Sequence, residues 1–544
     1  MTSPANTRLP ISDDVEAVLP AAISRAHDWL KSTADEEDKA TEQLADLLRD
    51  DDGVKFTMDF VDRVMRPEDD KVAAHALKDI SSHYDPSFLG SINGALVGAG
   101  GFFGPILPNL VMPVARLYMR KMVGHLVLDA ESDALNKILD KAAESGEQLN
   151  LNLLGEAVLG EEEAKSRAQR TLKLIQNPRV TYVSVKASSM VAQLNHWDID
   201  GSVERLKERL RPLYQAAADR TDKVFINMDM EEYHDLHLTI RLFKELLSEP
   251  EFLTLDAGIV LQAYLPDTFD ALKDVADFAK ERVAKGGGKV KVRIVKGANL
   301  SMETVQGEVH DWPLATYTNK LDVDANYYRL LDFILREEYA DSVRIGVATH
   351  NLYTAAMAYE LGKKRGVLHM MDSEMLQGMS PAQQAAVRKV FDGRQILYTP
   401  VVHAEDFDVA VSYLVRRLEE NSAPQNFLYA LFAPGEEPLA DQEETFRRAV
   451  AKRWDTFAGA RRTQNRLEED GRQAPRTGRF TNEADTDSAL APNRQWAQEA
   501  LKRNPGEHGI TEVTDPAAVE SHIARAKELG TEWGKRPAAE RAAA

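Results

Sequence analysis

Val290-Lys291-Val292-Arg293-Ile294-Val295-Lys296-Gly297-Ala298-Asn299-Leu300-Ser301-Met302-Glu303 carries two signals at once. Val290, Val292, Ile294 and Val295 form a β-branched run that reads as a buried strand. Lys291, Arg293 and Lys296 interrupt it with charge, and Gly297-Ala298 removes side-chain bulk where the strand ends. A strand finishing in Arg, Lys and an open turn offers donors to an anionic or electron-rich ligand. Taken alone, the same residues also suit an edge strand with solvated charges.

Working outward, short apolar runs recur at Leu149–Leu154, Val180–Val185, Val224–Met230, Gly258–Tyr264, Arg344–Thr349, Leu368–Met375 and Gln395–Pro400. Helical or loop material separates them. This alternation predicts an α/β fold, a (β/α)8 TIM-like barrel preceded by a helical N-terminal domain; an open doubly wound sheet is the alternative. In a barrel, functional groups sit at the C-terminal strand ends. Lys186, Asp229, Gln262, Arg293, Lys296, Thr349-His350-Asn351 and Tyr398 all fall there, which predicts one polar mouth. After the last run, Tyr413, Arg416, Arg417 and Glu420 recur at helical spacing. Adjacent guanidiniums on one helix face suit bidentate capture of a carboxylate, although an ordinary solvated face has the same pattern.

The 544-residue chain is long enough for more than one domain. A formal charge of -20 argues against nucleic acid as a partner. Without cysteine there is no disulfide, thiolate metal site or Cys nucleophile. His234 and His237 lie three apart with no third ligand nearby, so no metal is expected. No basic segment with an apolar core opens the chain, so no signal peptide is expected, and a cytoplasmic location fits. Residues 1–90 read as helical and acidic, with a helix start at Ser12-Asp13-Asp14 and a second acidic run at Asp35–Asp38. Ile92–Met119 is apolar, but its glycines and Pro105, Pro108 and Pro113 make a poor membrane span. It is expected to form a buried or interfacial loop leading into a helix, with peripheral membrane contact as the alternative.

In order along the chain, Val183-Ser184-Val185-Lys186, Asn227–Glu232, Gln262-Ala263-Tyr264, Val292–Ala298, Ala348–Asn351 and Tyr413–Leu418 together resemble the proline dehydrogenase domain of proline utilization A. The resemblance covers roughly residues 145–430. It implies FAD across the barrel mouth, hydride transfer from L-proline to flavin N5, and 1-pyrroline-5-carboxylate as product, the first step of proline catabolism to glutamate. A quinone would accept the electrons, at the inner face of the membrane. By resemblance, Asp229 and Arg293 are catalytic. Lys186, Tyr398, Tyr413, Arg416, Arg417 and Glu420 bind substrate. Met230, Gln262, Arg293, Lys296, Gly297, Ala298, Thr349, His350, Asn351 and Leu376 bind the cofactor.

One departure is Asn299-Leu300, where many relatives carry aromatic residues. The domains expected are a helical 1–144, the barrel 145–435, a helical extension 436–478, and 479–544 as the linker and start of an aldehyde dehydrogenase half whose remainder is absent. That half needs a thiolate nucleophile, so it is not expected to act here. Two rival readings stand beside this one: a Schiff-base enzyme using Lys186 or Lys296, and a non-enzymatic scaffold. Oligomeric state is not legible.

Overall fold

The computed structural model describes residues 13–33, 51–67, 69–84, 99–123, 126–130, 132–155, 158–403, 406, 410, 413–414, 417, 420, 423–433, 435, 437–469, 482–503 and 511–544. Two compact units divide the chain, Met1–Asn493 and Arg494–Ala544. In the second, the helix Pro516–Lys535 is capped by the Asp515 carboxylate, which accepts from Ala517 N at 3.1 Å.

The first unit is built on parallel strands: β1 (Leu128–Asp129), β2 (Gln148–Leu153), β3 (Tyr182–Lys186), β4 (Phe225–Asp229), β5 (Ala257–Gln262), β6 (Val290–Val295), β7 (Val343–Ala348), β8 (Met371–Leu376) and β9 (Gln395–Val402). Strands β2 to β9 pair in sequence order, and β9 closes on β2, so the sheet is an eight-stranded barrel and not the open doubly wound alternative. The two-residue β1 adds to β9, a pairing too short to leave a periodic signal. Leu368–Met370, expected at the start of β8, is instead a 3₁₀ turn leading into it.

Strand β6 shows why the barrel forms. Val290, Val292 and Ile294 are fully buried. Lys291 and Arg293 lie on the opposite face and are buried too, 1% and 8% exposed. They are therefore not solvated charges on an edge strand: β6 is central, paired to β5 and β7, and its charges point into the barrel. Gly346 on β7 makes this possible, since a Cβ there would lie 2.1 Å from Glu374 Oε1 and 3.0 Å from Lys291 Cε.

Outside the barrel, the helix Asp13–Thr33 starts where the acidic run predicts, and buries Val15, Ala22, Ala26 and Trp29 in the barrel's hydrophobic core. Arg25 anchors it to Glu360 at 2.5 Å. Asp332, 1% exposed, gathers Arg365 Nη2 at 2.6 Å, Arg453 Nε at 3.0 Å and Trp454 Nε1 at 2.8 Å. Asp35–Asp38 lies outside the described residues.

In the described part of Ile92–Met119 the helix expected to follow is present, and apolar side chains are exposed instead of buried. The helix runs from Pro108 to Val123, and Phe102, Ile106, Leu110, Val114 and Leu117 are each more than 60% exposed. Pro108 occupies the first helical position, where a missing N–H costs nothing. Among the described residues, no helix is long and apolar enough to cross a membrane.

Candidate active site

A ladder of charge and amide groups climbs the barrel interior, where branched apolar side chains are the usual filling. Near its foot, Lys291 Nζ lies 3.1 Å from Asp372 Oδ2 and 2.6 Å from Glu374 Oε1. One layer higher, Arg293 Nε donates to Glu374 Oε2 at 2.6 Å. Burial opposes the Arg293 charge, but Glu374 and Asp229 outweigh it and hold the guanidinium protonated above its ordinary range. The Arg293 guanidinium lies 4.7 Å from the centroid of the Tyr398 ring, a cation–π contact.

Asp229, on the last residue of β4, accepts hydrogen bonds from Ser184 Oγ (3.1 Å), Asn227 Nδ2 (2.8 Å) and the Tyr398 hydroxyl (3.0 Å). Burial raises its pKa; Arg293, Lys186 and these bonds work against that rise. Tyr398 in turn accepts from Asn152 Nδ2. Lys186 Nζ pairs with Glu231 at 2.8 Å, and Ser188 donates to the other oxygen of the same carboxylate.

The opposite rim is built by β5, β6, β7 and β8. Gln262 Nε2 donates to Glu231 O at 2.9 Å, while its Oε1 is buried without a partner. Lys296 Nζ lies 2.6 Å from Asp324 Oδ1; burial lowers its pKa to about 8 against the pull of Asp324. Met230 is buried beside Asp229, and Ala298 is exposed at the rim. Gly297 has φ +135°, and a Cβ there would sit 2.3 Å from the Tyr264 ring. That close ring, as much as any ligand, requires glycine at this position.

Leu376 N–H donates to His350 Nε2 at 2.9 Å, which leaves the proton of the neutral ring on Nδ1. Burial, with Arg417 nearby, lowers the His350 pKa from 6.5 to about 4. A buried neutral histidine stabilises the fold fully above 6.5, and that contribution is lost as the unfolded chain takes up the proton between pH 6.5 and 4. His350→Gln should therefore flatten the fall of Tm across that window, read by scanning calorimetry. An unchanged pH profile would show that His350 titrates normally. Thr349 N donates to Glu374 O at 3.0 Å, and Thr349 Oγ1 accepts from Asn351 N at 3.0 Å. The Asn351 Oδ1 is taken by Thr354 N at 3.1 Å as the cap of the helix Leu352–Lys364, so that oxygen serves the scaffold.

Tyr413, Arg417 and Glu420 are described in helical conformation; Arg416 lies outside the described residues. Arg417 Nη1 pairs with Glu420 Oε2 at 2.8 Å, its guanidinium stands 5.4 Å from the Tyr413 ring centroid, and its Nε is buried without a hydrogen-bond partner. Burial opposes its charge, but Glu420, Tyr413 and Tyr398 raise its pKa, with Arg293 near enough to act against them. Arg417 thus shares one mouth with Arg293, Tyr398 and His350.

Sequence reasoning missed Asn152, Glu231, Asp324 and Glu374. A signal for two of them was present: Asn150/Asn152 and Asp372/Glu374 each place polar groups two apart in a buried strand, as Lys291/Arg293 do.

A closed parallel barrel with buried charges converging on its C-terminal mouth is the frame of a TIM-like barrel enzyme. The sequence pattern of the family described as Proline dehydrogenase matches residues 134–430, and the chain belongs to that family. Proline utilization A from Corynebacterium freiburgense is 54% identical over 75% of this chain and 39% of its own, with a TM-score of 0.64. The Bdellovibrio bacteriovorus proline utilization A, solved after inactivation by N-propargylglycine, is 25% identical over 89% of this chain and 48% of its own, with a TM-score of 0.69. The chain thus spans less than half the length of either solved relative. None of the curated proteins matches.

Proposed function

We propose that this chain oxidises L-proline to 1-pyrroline-5-carboxylate with FAD bound at the barrel mouth. The observation that carries the reading is the convergence of Lys186, Arg293 and Arg417 around Asp229 and Tyr398, in a barrel of this family. Substrate chemistry agrees with the Bdellovibrio relative: N-propargylglycine, like proline, is a secondary amine bearing a carboxylate.

The residues suit FAD. Gln262 Oε1 offers a buried acceptor lacking a donor, which an imide N–H would supply. Arg293, Lys296 and the Nδ1–H of His350 offer donors, and Met230, Gly297, Ala298, Thr349 and Leu376 line the same rim. Bound FAD would supply two-electron acceptance, the chemistry needed to take a hydride from the substrate's ring carbon beside nitrogen. Arg417, with Arg416 and Lys186, binds the proline carboxylate, and Glu420 and Tyr413 hold the Arg417 fork. Tyr398 walls the pocket between Arg293 and Asp229, and Asp229 keeps the cations in register. Within this reading, residues 145–435 form the catalytic barrel, 1–144 the helical N-terminal domain, 436–478 a helical extension and 479–544 the linker and start of an aldehyde dehydrogenase half. A quinone is the proposed electron acceptor, and the exposed apolar side chains from Phe102 to Leu117 are the surface that would meet its membrane.

Purified protein, reconstituted with FAD, is expected to show a flavin spectrum that bleaches on anaerobic addition of L-proline. A flavin spectrum unchanged by L-proline would overturn the reading. One observation favours a second reading: a lysine with pKa about 8 at a strand end, Lys296, is a Schiff-base nucleophile in other settings. Borohydride trapping of a carbonyl compound on Lys296 would support it, and Asp324 at 2.6 Å weighs against it.

A further inference from the structure

Two histidines and an aspartate that the mouth described above does not use meet on the loops after β3 and β4. His196 lies on the segment after β3, and His234 and Asp235 on the turn after β4. The three ligand atoms lie within 4.8 Å of one another. His196 Nε2 is 2.7 Å from Asp235 Oδ1, and His234 Nε2 is 3.5 Å from the same oxygen. The imidazole rings meet edge to face, with centroids 4.3 Å apart. Asp235 is buried, and both histidines are largely so.

The far side of His234 decides the chemistry. Gln306 Nε2 donates to Glu232 Oε2 at 3.0 Å, so the Gln306 Oε1 is an acceptor. His234 Nδ1 faces that oxygen at 3.3 Å and Glu232 Oε2 at 3.3 Å. With two acceptors before it, Nδ1 carries the proton. In the neutral ring, His234 Nε2 is then a bare lone pair facing a carboxylate oxygen. Lone pair against lone pair is unfavourable unless a second proton or a metal cation lies between them, and a metal takes that place by displacing the proton. A carboxylate that fixes one ring nitrogen so that the other is free to ligate is the usual support of a metal-binding histidine. Two ligands of a tetrahedral ion, each about 2.1 Å from it, stand about 3.4 Å apart; the His234–Asp235 pair, at 3.5 Å, has that separation, while His196 and Asp235, at the 2.7 Å of a hydrogen bond, would part to admit the ion.

We propose that His196 Nε2, His234 Nε2 and an Asp235 oxygen bind one divalent cation of the Zn²⁺ class. Water supplies the fourth position, and Glu232 and Gln306 orient His234 from behind. Without metal, His196 donates its Nε2 proton to Asp235. On metal entry the His196 proton moves to Nδ1 through solvent, Nε2 becomes a ligand, and His196 itself releases no net proton. The ion clamps the segment after β3 to the turn after β4, in which His234 lies two residues beyond Glu232. The site is independent of the reading of the mouth. His237, the neighbour suggested by spacing, is exposed and takes no part.

Co²⁺ titrated into tag-free, chelator-stripped full-length protein tests this. The expected result is a saturable visible d–d band at one ion per chain, displaced by Zn²⁺. His196→Gln and His234→Gln should each weaken binding by about 100-fold, and Glu232→Gln by about tenfold or more, while His237→Gln leaves it unchanged. Circular dichroism reports whether each variant is folded. Absence of a saturable band in the unsubstituted protein, or a band that survives in folded His196→Gln and His234→Gln, would overturn the site.

Discussion

Arg417→Ala raises the KM for L-proline by about 30-fold or more, with a smaller change in kcat. The guanidinium is held by Glu420 at 2.8 Å and packs on Tyr413, so it is set in place before substrate arrives. Its Nε is buried without a partner, which leaves one donor free for a carboxylate. Removing one member of a desolvated charged pair costs about 2–5 kcal/mol. The lower bound alone is about 30-fold in affinity. Arg417→Lys restores charge but not the planar fork, so its KM should fall between the two. Steady-state kinetics with an artificial electron acceptor measure both constants. A KM unchanged in folded Arg417→Ala would remove Arg417 from the substrate site, and with it the proposed carboxylate clamp.

The largest stability effect is expected at Glu374. Its side chain is 0% exposed and joins two buried cations, Lys291 at 2.6 Å and Arg293 at 2.6 Å. Glu374→Ala strips Arg293 of its bound carboxylate and leaves Lys291 with Asp372 alone, at 3.1 Å. An uncompensated buried charge costs about 3–5 kcal/mol. For a protein whose whole margin is about 5–15 kcal/mol, that is a large fraction. Glu374→Gln keeps volume and one acceptor, so it should unfold later than Glu374→Ala in urea. It should still lower turnover, because Arg293 loses the charge that aims it. Equal unfolding midpoints for Glu374→Ala and the unsubstituted protein would show that water or backbone groups compensate the cations.

The barrel was legible because its signal is local. The β-branched run at Val290–Val295 and the short apolar run at Gln395–Pro400 mark strands directly, and the helical spacing between runs implies parallel crossovers. The candidate mouth was legible for the related reason that strand ends in such a fold converge. Ion-pair partners were not. Glu374 lies 81 residues from Arg293 and Glu231 lies 45 from Lys186, and no spacing rule connects them. The same limit hid His196 from His234, while His237 lay in plain view and led nowhere. Asn351 shows a second limit: its Oδ1 caps the helix Leu352–Lys364, a role that a polar residue at a strand end takes as readily as a ligand contact.

By itself, the sequence determined the alternation of strands and helices and many of the chemically capable residues at the rim; closure into a barrel, over the doubly wound alternative, came from the pairing of β9 with β2. The alternation and the rim residues follow from side-chain period and chain connectivity, which are properties of neighbours along the chain. Tertiary structure alone decided which way the charges of β6 face and what neutralises them. Lys291 and Arg293 could equally have faced water; closure of β9 onto β2 turned them inward, against the carboxylates of β8. Burial then raised the energetic stake of each pair, because a charge removed from water must find its counterion across space and not along the chain.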